Sequence, residues 1–363
     1  MKRGFGYYIF KRWLIIPALA VITFILTRIA VASPGWVERI YSENIYPVIA
    51  SVLSPVSDLI PFSLDDIFYL ALIFSTLFLV VWLILKKITF LKAGKITLNV
   101  LAIVYCLFYW NWGFNYFRSD LNRRLLIPQT SVNEKDFSSV LKELILKTNQ
   151  SYTTFNDFSK SKIDSLVEDS YREMAPFLKI KYPMGRRRAK SITFGRFFAS
   201  AGISGYYGPF FNEVHLDRFV LPVEYPVILA HEKAHQFGIT SEAEANFYAW
   251  LVCSQSPSRQ LQYSANLYVL QYFLAQAYKL ENFKELADLI DPEVKADIRR
   301  IENHWRELRN VKIDHAAGKV NDAYLKSNNI KKGIEDYTGV VRLVMDYLSD
   351  GDALQRVRSL SRK

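Results

Sequence analysis

Three apolar stretches in the first third of the chain limit what this sequence can fold into more than any other feature. They cover about residues 13–32, 67–85 and 96–117, and each approaches the roughly 20 residues that a helix needs to cross a hydrocarbon core. Flanking charges orient the set. Lys2, Arg3, Lys11 and Arg12 precede the first stretch, and Lys86, Lys87, Lys92 and Lys95 fill the short connection between the second and third. Cationic residues stay on the cytoplasmic side of a membrane, so both regions are expected inside. Residues 33–66 carry Glu38, Glu43, Asp58, Asp65 and Asp66. They are expected outside, as an amphipathic hairpin lying on the bilayer surface. Aromatic residues from Tyr105 to Phe117 load the end of the third stretch as an interfacial belt would. Everything after Arg118 is then extracytoplasmic, although Arg118, Arg123 and Arg124 run against this orientation. A cleaved signal peptide ending near Ala30-Val31-Ala32 is the rival reading of the first stretch, and it leaves the later residues on the same side.

The net charge of +11 raises the question of nucleic acid. The basic residues are scattered, and no basic helix face with interleaved aromatics occurs, so no nucleic-acid partner is expected. Membrane topology and attraction to anionic head groups account for the excess. Two cysteines, Cys106 and Cys253, exclude a disulfide framework and a cysteine-rich metal site, so any metal must use histidine and carboxylate ligands.

From residue 119 to 363 the pattern is that of a water-soluble domain behind a 1–118 anchor. Helical periodicity is visible over 134–148, 160–176, 223–237, 241–256, 258–280, 293–312 and 331–349. Strand signals are confined to Ser191–Phe194 and Phe210–Leu216, the latter after a glycine-rich turn at Gly202–Gly208. The expected fold class is mainly α with a small sheet (α+β).

The chemistry concentrates in Ala230-His231-Glu232-Lys233-Ala234-His235-Gln236-Phe237-Gly238. Residues four apart share one helix face, so His231 and His235 can offer imidazole nitrogens to one cation, and Zn²⁺ accepts such ligands. Glu232 is rotated about 100° from His231, close enough to act as general base on a water without ligating. Gly238 suits the left-handed turn that ends the helix. Ser241 with Glu244 then reads as a capping box opening a second helix. Capping occupies Glu244, so Glu242 is preferred over Glu244 as third ligand. Cys253 is expected in the core.

At these residues the sequence resembles the gluzincin class of zinc peptidases, whose third ligand commonly opens a Glu-x-x-Ala-Asp or Glu-x-x-Ser-Asp string. Here Glu242-Ala243-Glu244-Ala245-Asn246 matches with Asn246 in place of the Asp. The resemblance implies that Asn246 supports a ligand imidazole, as an amide without charge. The spacing from His235 to Glu242 is far shorter than in that class. The whole chain also resembles a bacterial membrane family, common in Bacteroidetes, catalogued as domain of unknown function 3810. Val37–Ser42, Tyr46-Pro47, Pro61–Leu64, His231–Phe247 and Tyr324-Leu325-Lys326 with Gly333 carry that likeness.

Zinc peptidases of this kind lay an edge strand along the cleft to pair with substrate backbone, which here points to Phe210–Leu216. His215 is left between substrate contact and plain solvent exposure. Tyr324 is left between oxyanion stabilisation and a buried structural role. The expected activity is a zinc hydrolase, a metallopeptidase of the bacterial inner membrane. Its catalytic domain is periplasmic, acting on peptide or protein at the membrane surface. A non-catalytic scaffold or sensor with structural zinc is the competing class.

Overall fold

The computed structural model describes residues 13–131, 133–182 and 187–360. Lys2, Arg3, Lys11 and Arg12, used above to orient the chain, lie outside the described residues. The first part holds α1 (Ile15–Ala32), a π-helical turn over Glu38–Ile45, α2 (Tyr46–Asp58), α3 (Leu64–Ile84) and α4 (Phe90–Asn111). Helices α1, α3 and α4 are long and apolar enough to cross a membrane. Two of them start earlier than hydropathy suggests, because caps rather than apolar content set helix ends. The Ser63 hydroxyl accepts the Asp66 N–H at the start of α3. The Thr89 hydroxyl accepts the Lys92 N–H, so Lys92 and Lys95 sit on the first turns of α4 instead of in a loop. At the other end α4 stops at Asn111, and residues 113–117 form a 3-10 turn.

Helix α1 packs along α4, where the Trp110 indole donates to Thr23 Oγ1 at 3.0 Å. Helix α3 is different. Only Asp65 and Asp66 in its first turn are buried, while Phe74, Phe78 and Ile84 are exposed. A helix that is apolar all round and uncovered by protein needs an apolar solvent.

The stretch between α1 and α3 is not a surface hairpin. Val37, Tyr41, Tyr46 and Ala50 bury themselves with Tyr109, Trp112, Tyr116 and Phe117 in a core of their own. Four of the aromatics that read as an interfacial belt, Tyr109, Trp112, Tyr116 and Phe117, are packed inside this cluster, while Trp110 stays exposed. Arg118 pairs with Glu38 at 2.6 Å, and Arg124 pairs with Glu244. Two of the three arginines that ran against the topology are therefore neutralised internally.

The second part contains α5 (Glu134–Ser151), α6 (Lys160–Leu178), β1 (Lys190–Ser191), β2 (Gly205–Gly208), β3 (Glu213–Leu216), α7 (Tyr225–Gln236), α8 (Glu242–Ser254) and α9 (Arg259–Ala277). It ends with α10 (Pro292–Leu308), α11 (Val311–Ser327), α12 (Val340–Ser349) and α13 (Gly351–Leu360). The sheet order is β1-β3-β2, with β1 parallel and β2 antiparallel to β3. The glycine-rich segment read as a turn is thus the edge strand β2, and the expected strand is central and shorter. A strand of two glycines and two tyrosines carries no alternation for pattern reading to find. The helix expected over 293–312 breaks at Arg309 and Asn310, both extended. The Asn310 side chain then caps α11.

Helix α7 lies between the sheet on one side and α8 and α9 on the other, and every one of its residues is buried. That includes Lys233, whose ammonium donates to Glu168 at 2.6 Å and to the Arg187 carbonyl at 2.7 Å, with Asp164 at 3.0 Å. Burial alone would raise the Glu168 pKa, but Lys233 and Arg187 more than offset this and hold it below the ordinary range. The pairing fixes the rotation of α7 about its axis. Lys233→Met leaves the half-buried Asp164 unpaired and Glu168 with Arg187 alone, and is expected to cost about 3 kcal/mol. Chemical denaturation in detergent measures it, and an unchanged midpoint would refute the assignment.

Candidate metal centre

Pro226, with its fixed φ, occupies the first turn of α7. Gly238 at φ +81° ends it and reverses the chain. Five residues after α7 ends, Ser241 accepts the Glu244 N–H and opens α8. This tight reversal brings Glu242 onto the face of α7 that carries His231 and His235. Their donor atoms form a small triangle. The two Nε2 atoms are 3.1 Å apart, and Glu242 Oε2 is 3.1 Å from His231 Nε2 and 3.4 Å from His235 Nε2. Ligands about 2.0–2.1 Å from a tetrahedral zinc are separated by about 3.3 Å. The edges match a cation's coordination shell.

The surrounding bonds agree. His235 Nδ1 lies 2.7 Å from the Ile239 carbonyl, which requires Nδ1 to carry the proton and leaves Nε2 as a lone-pair donor. Glu242 Oε2 and His231 Nδ1 are buried without a hydrogen-bond partner among the described residues. A carboxylate oxygen aimed between two imidazole nitrogens, with no hydrogen bond of its own, is suited to a positive ion. Burial raises the Glu242 pKa, but the two histidines more than offset it and push it far below the carboxylate range. Burial lowers that of His235, and Glu242 reverses this to about 9.

Glu232 is buried beside the triad, with its carboxylate over the backbone of β2. A Cβ placed at Gly205 would come within 2.8 Å of Glu232 Oε1, so only glycine lets strand and carboxylate approach this closely. Burial lifts the Glu232 pKa to about 7, His231 and His235 pulling it down and Glu242 pushing it up. A carboxyl poised there exchanges protons near neutral pH.

The other expected site residues are dispersed. Glu244 is not at the triad, because its carboxylate is held by Arg124 and by the Leu121 N–H at 2.8 Å. Asn246 touches neither imidazole. It accepts from the Tyr268 hydroxyl at 3.1 Å and donates to the Tyr337 carbonyl at 3.3 Å. The partner of His235 is the Ile239 carbonyl instead, because the chain turns back directly beneath the ring. His215 is fully buried. It stacks on Tyr206 with centroids 4.3 Å apart, and its Nε2 is 3.3 Å from Glu213 Oε2. Plain solvent exposure does not describe it, because Tyr206 covers its ring. Tyr324 is not buried. It is 40% exposed, and its hydroxyl oxygen accepts from Tyr116 at 3.0 Å. Burial and then the charge of Glu242 raise the pKa of Tyr337, which lies near the triad and was not foreseen from the sequence.

Sequence reasoning also missed the contribution of the first 118 residues. The Trp112 indole donates to the His235 carbonyl at 2.9 Å, and the Tyr46 hydroxyl donates to the Gln236 carbonyl at 2.6 Å. Arg118 donates to the Gly238 carbonyl at 3.0 Å. The carbonyls at the end of the helix that carries both histidines, which no helix satisfies by itself, are therefore capped by groups from the first 118 residues. No local spacing signals a bond across more than a hundred residues.

Fold and site together define a helical protein with three candidate membrane spans and a histidine-histidine-carboxylate cluster of metal-binding geometry. The model of the family described as a protein of unknown function, DUF3810, matches residues 41–345, and the chain belongs to that family. No curated protein and no solved structure matches it.

Proposed function

We propose that this chain is a zinc-dependent hydrolase, a metallopeptidase held in the bacterial cytoplasmic membrane with its cleft on the outer face. The observation that carries the proposal is the triangle of His231 Nε2, His235 Nε2 and Glu242 Oε2, with the buried carboxyl of Glu232 on the next residue of the same helix. The gluzincin-like order of residues supports the same reading. Zn²⁺ at the triad would supply Lewis acidity to a carbonyl oxygen and a water. Glu232 takes a proton from the attacking water and returns it to the departing amine nitrogen, so that the amide C–N bond breaks to acid and amine. Tyr116 donates to Tyr324, which leaves the Tyr324 proton available to a developing oxyanion at the exposed rim. The free edge of β2 offers backbone N–H and C=O groups to an extended peptide.

The topology follows from the lysines between α3 and α4, which belong inside. Deep burial of the ligands, each less than a tenth exposed, is what favours the alternative of a structural zinc in a non-catalytic scaffold or sensor. Chelation decides between them. Full-length protein in detergent should contain about one zinc per chain and cleave members of a peptide library. It should lose cleavage with 1,10-phenanthroline and regain it with added zinc. Zinc content without cleavage of any library member would favour the scaffold.

A further inference from the structure

The strand that lies over Glu232 also reaches the membrane helices. Its first residue, Gly205, packs against the Glu232 carboxyl, and its last, Gly208, packs against Asp65 at the start of α3. Three residue steps of extended chain separate them, about 10 Å. The junction is hydrogen-bonded on both sides. Asp65 accepts the N–H groups of Phe210 and Phe211 at 3.2 and 3.3 Å, and Asp66 is held by Thr193 and Tyr206. Glu213 Oε2 accepts the N–H groups of Leu64 and Asp65 at 2.9 and 3.1 Å, a carboxylate at the positive end of a spanning helix. Burial raises the Glu213 pKa, and contacts with His215 and Lys190 more than offset it, which keeps it charged.

A second set of contacts places the metal triad at the same level. The ring of Trp112, the residue after α4, lies 6.4 Å from the ring of the ligand His235. Tyr324 at the rim of the site packs 6.2 Å from Phe108, one turn inside α4. The outer ends of both α3 and α4 are thus bonded to the elements that frame the triad.

From this geometry we infer that the substrate is a polypeptide held in the same bilayer by its own anchor, cut within a few residues of where it leaves the membrane. This rests on the peptidase reading and on α3 and α4 as spanning helices. A peptide paired along β2 with its scissile bond over Gly205 passes the start of α3 only about three residues later. A chain that leaves the bilayer beside α3 meets the strand edge at once, in the extended form that pairing requires. A freely soluble peptide gains nothing from this placement.

Full-length protein with zinc, reconstituted in phosphatidylethanolamine–phosphatidylglycerol vesicles, tests the inference. Reporters carry a randomised segment joined to a transmembrane helix through spacers of about 3, 12 and 24 residues, at equal surface density, with products read by mass spectrometry. The shortest spacer should be cleaved at least about 10-fold faster than the longest, with cuts clustered near the membrane exit. A parallel short-spacer series with a diacylglyceryl anchor shows whether a lipid anchor serves as well as a helix. Rates that are flat or that rise with spacer length would overturn the inference while leaving the peptidase reading in place. Cleavage of none of these reporters, nor of soluble peptides, by zinc-loaded protein would overturn both.

Discussion

Glu232→Gln is expected to retain zinc and to lose peptide hydrolysis by about 10²–10⁴-fold, the range that a positioned general base supplies. The amide is nearly the same size as the carboxyl, so the close packing against Gly205 survives. What the amide cannot do is accept a proton from water or return one to the leaving nitrogen. Burial makes the native carboxyl a stronger base than a solvated one, lifting its pKa to about 7, and a cation at the triad would draw that value back down. The experiment reads zinc content and hydrolysis on the same preparation. Hydrolysis that persists at the native rate in the variant would remove Glu232 from the mechanism.

Two neighbouring carboxylates provide the second large contrast. Glu242→Gln removes one ligand of three. A structural zinc site binds by about 10–16 kcal/mol over four ligands, so one ligand is worth about 3–4 kcal/mol and its loss about 10²–10³-fold in zinc affinity. Glu244→Gln should leave zinc affinity within a few-fold of native, because that side chain belongs to Arg124 and Leu121. Its effect is on stability. Arg124 is buried, and stripping its partner is expected to cost about 3–5 kcal/mol. Competition with a chromophoric chelator measures the first effect, and denaturation in detergent measures the second. A reversed pattern, with zinc lost in the 244 variant and kept in the 242 variant, would reassign the third ligand.

The triad was readable from the sequence because its geometry is local. Two histidines one turn apart, a glycine that ends the helix and a serine that opens the next confine Glu242 to a short arc of positions. The hydrogen-bond partners of these side chains were not readable. Asn246 was expected beneath an imidazole by analogy, yet the short reversal places the Ile239 carbonyl there and leaves Asn246 to Tyr268 and Tyr337. His215 was ambiguous because alternation along a strand shows which side chains share a face, and not which face is covered. The edge strand was misplaced for a related reason. Pairing partners decide which strand lies outermost, and Gly205–Gly208 has no side-chain pattern that announces a strand.

By itself the sequence determined three apolar helices, a mainly helical domain and one helix face able to hold a cation. Each of these depends on interactions within a turn or two of chain, or on the solvent that a long apolar segment demands. Tertiary structure alone decided that the division at residue 118 is bridged by the site itself. Tyr46, Trp112 and Arg118 complete the end of α7, Asp65 holds the turn between β2 and β3, and Asp66 holds Tyr206 of β2. Hydrogen bonds between residues so far apart form only when the core has closed around them, so no pattern of neighbours along the chain records them.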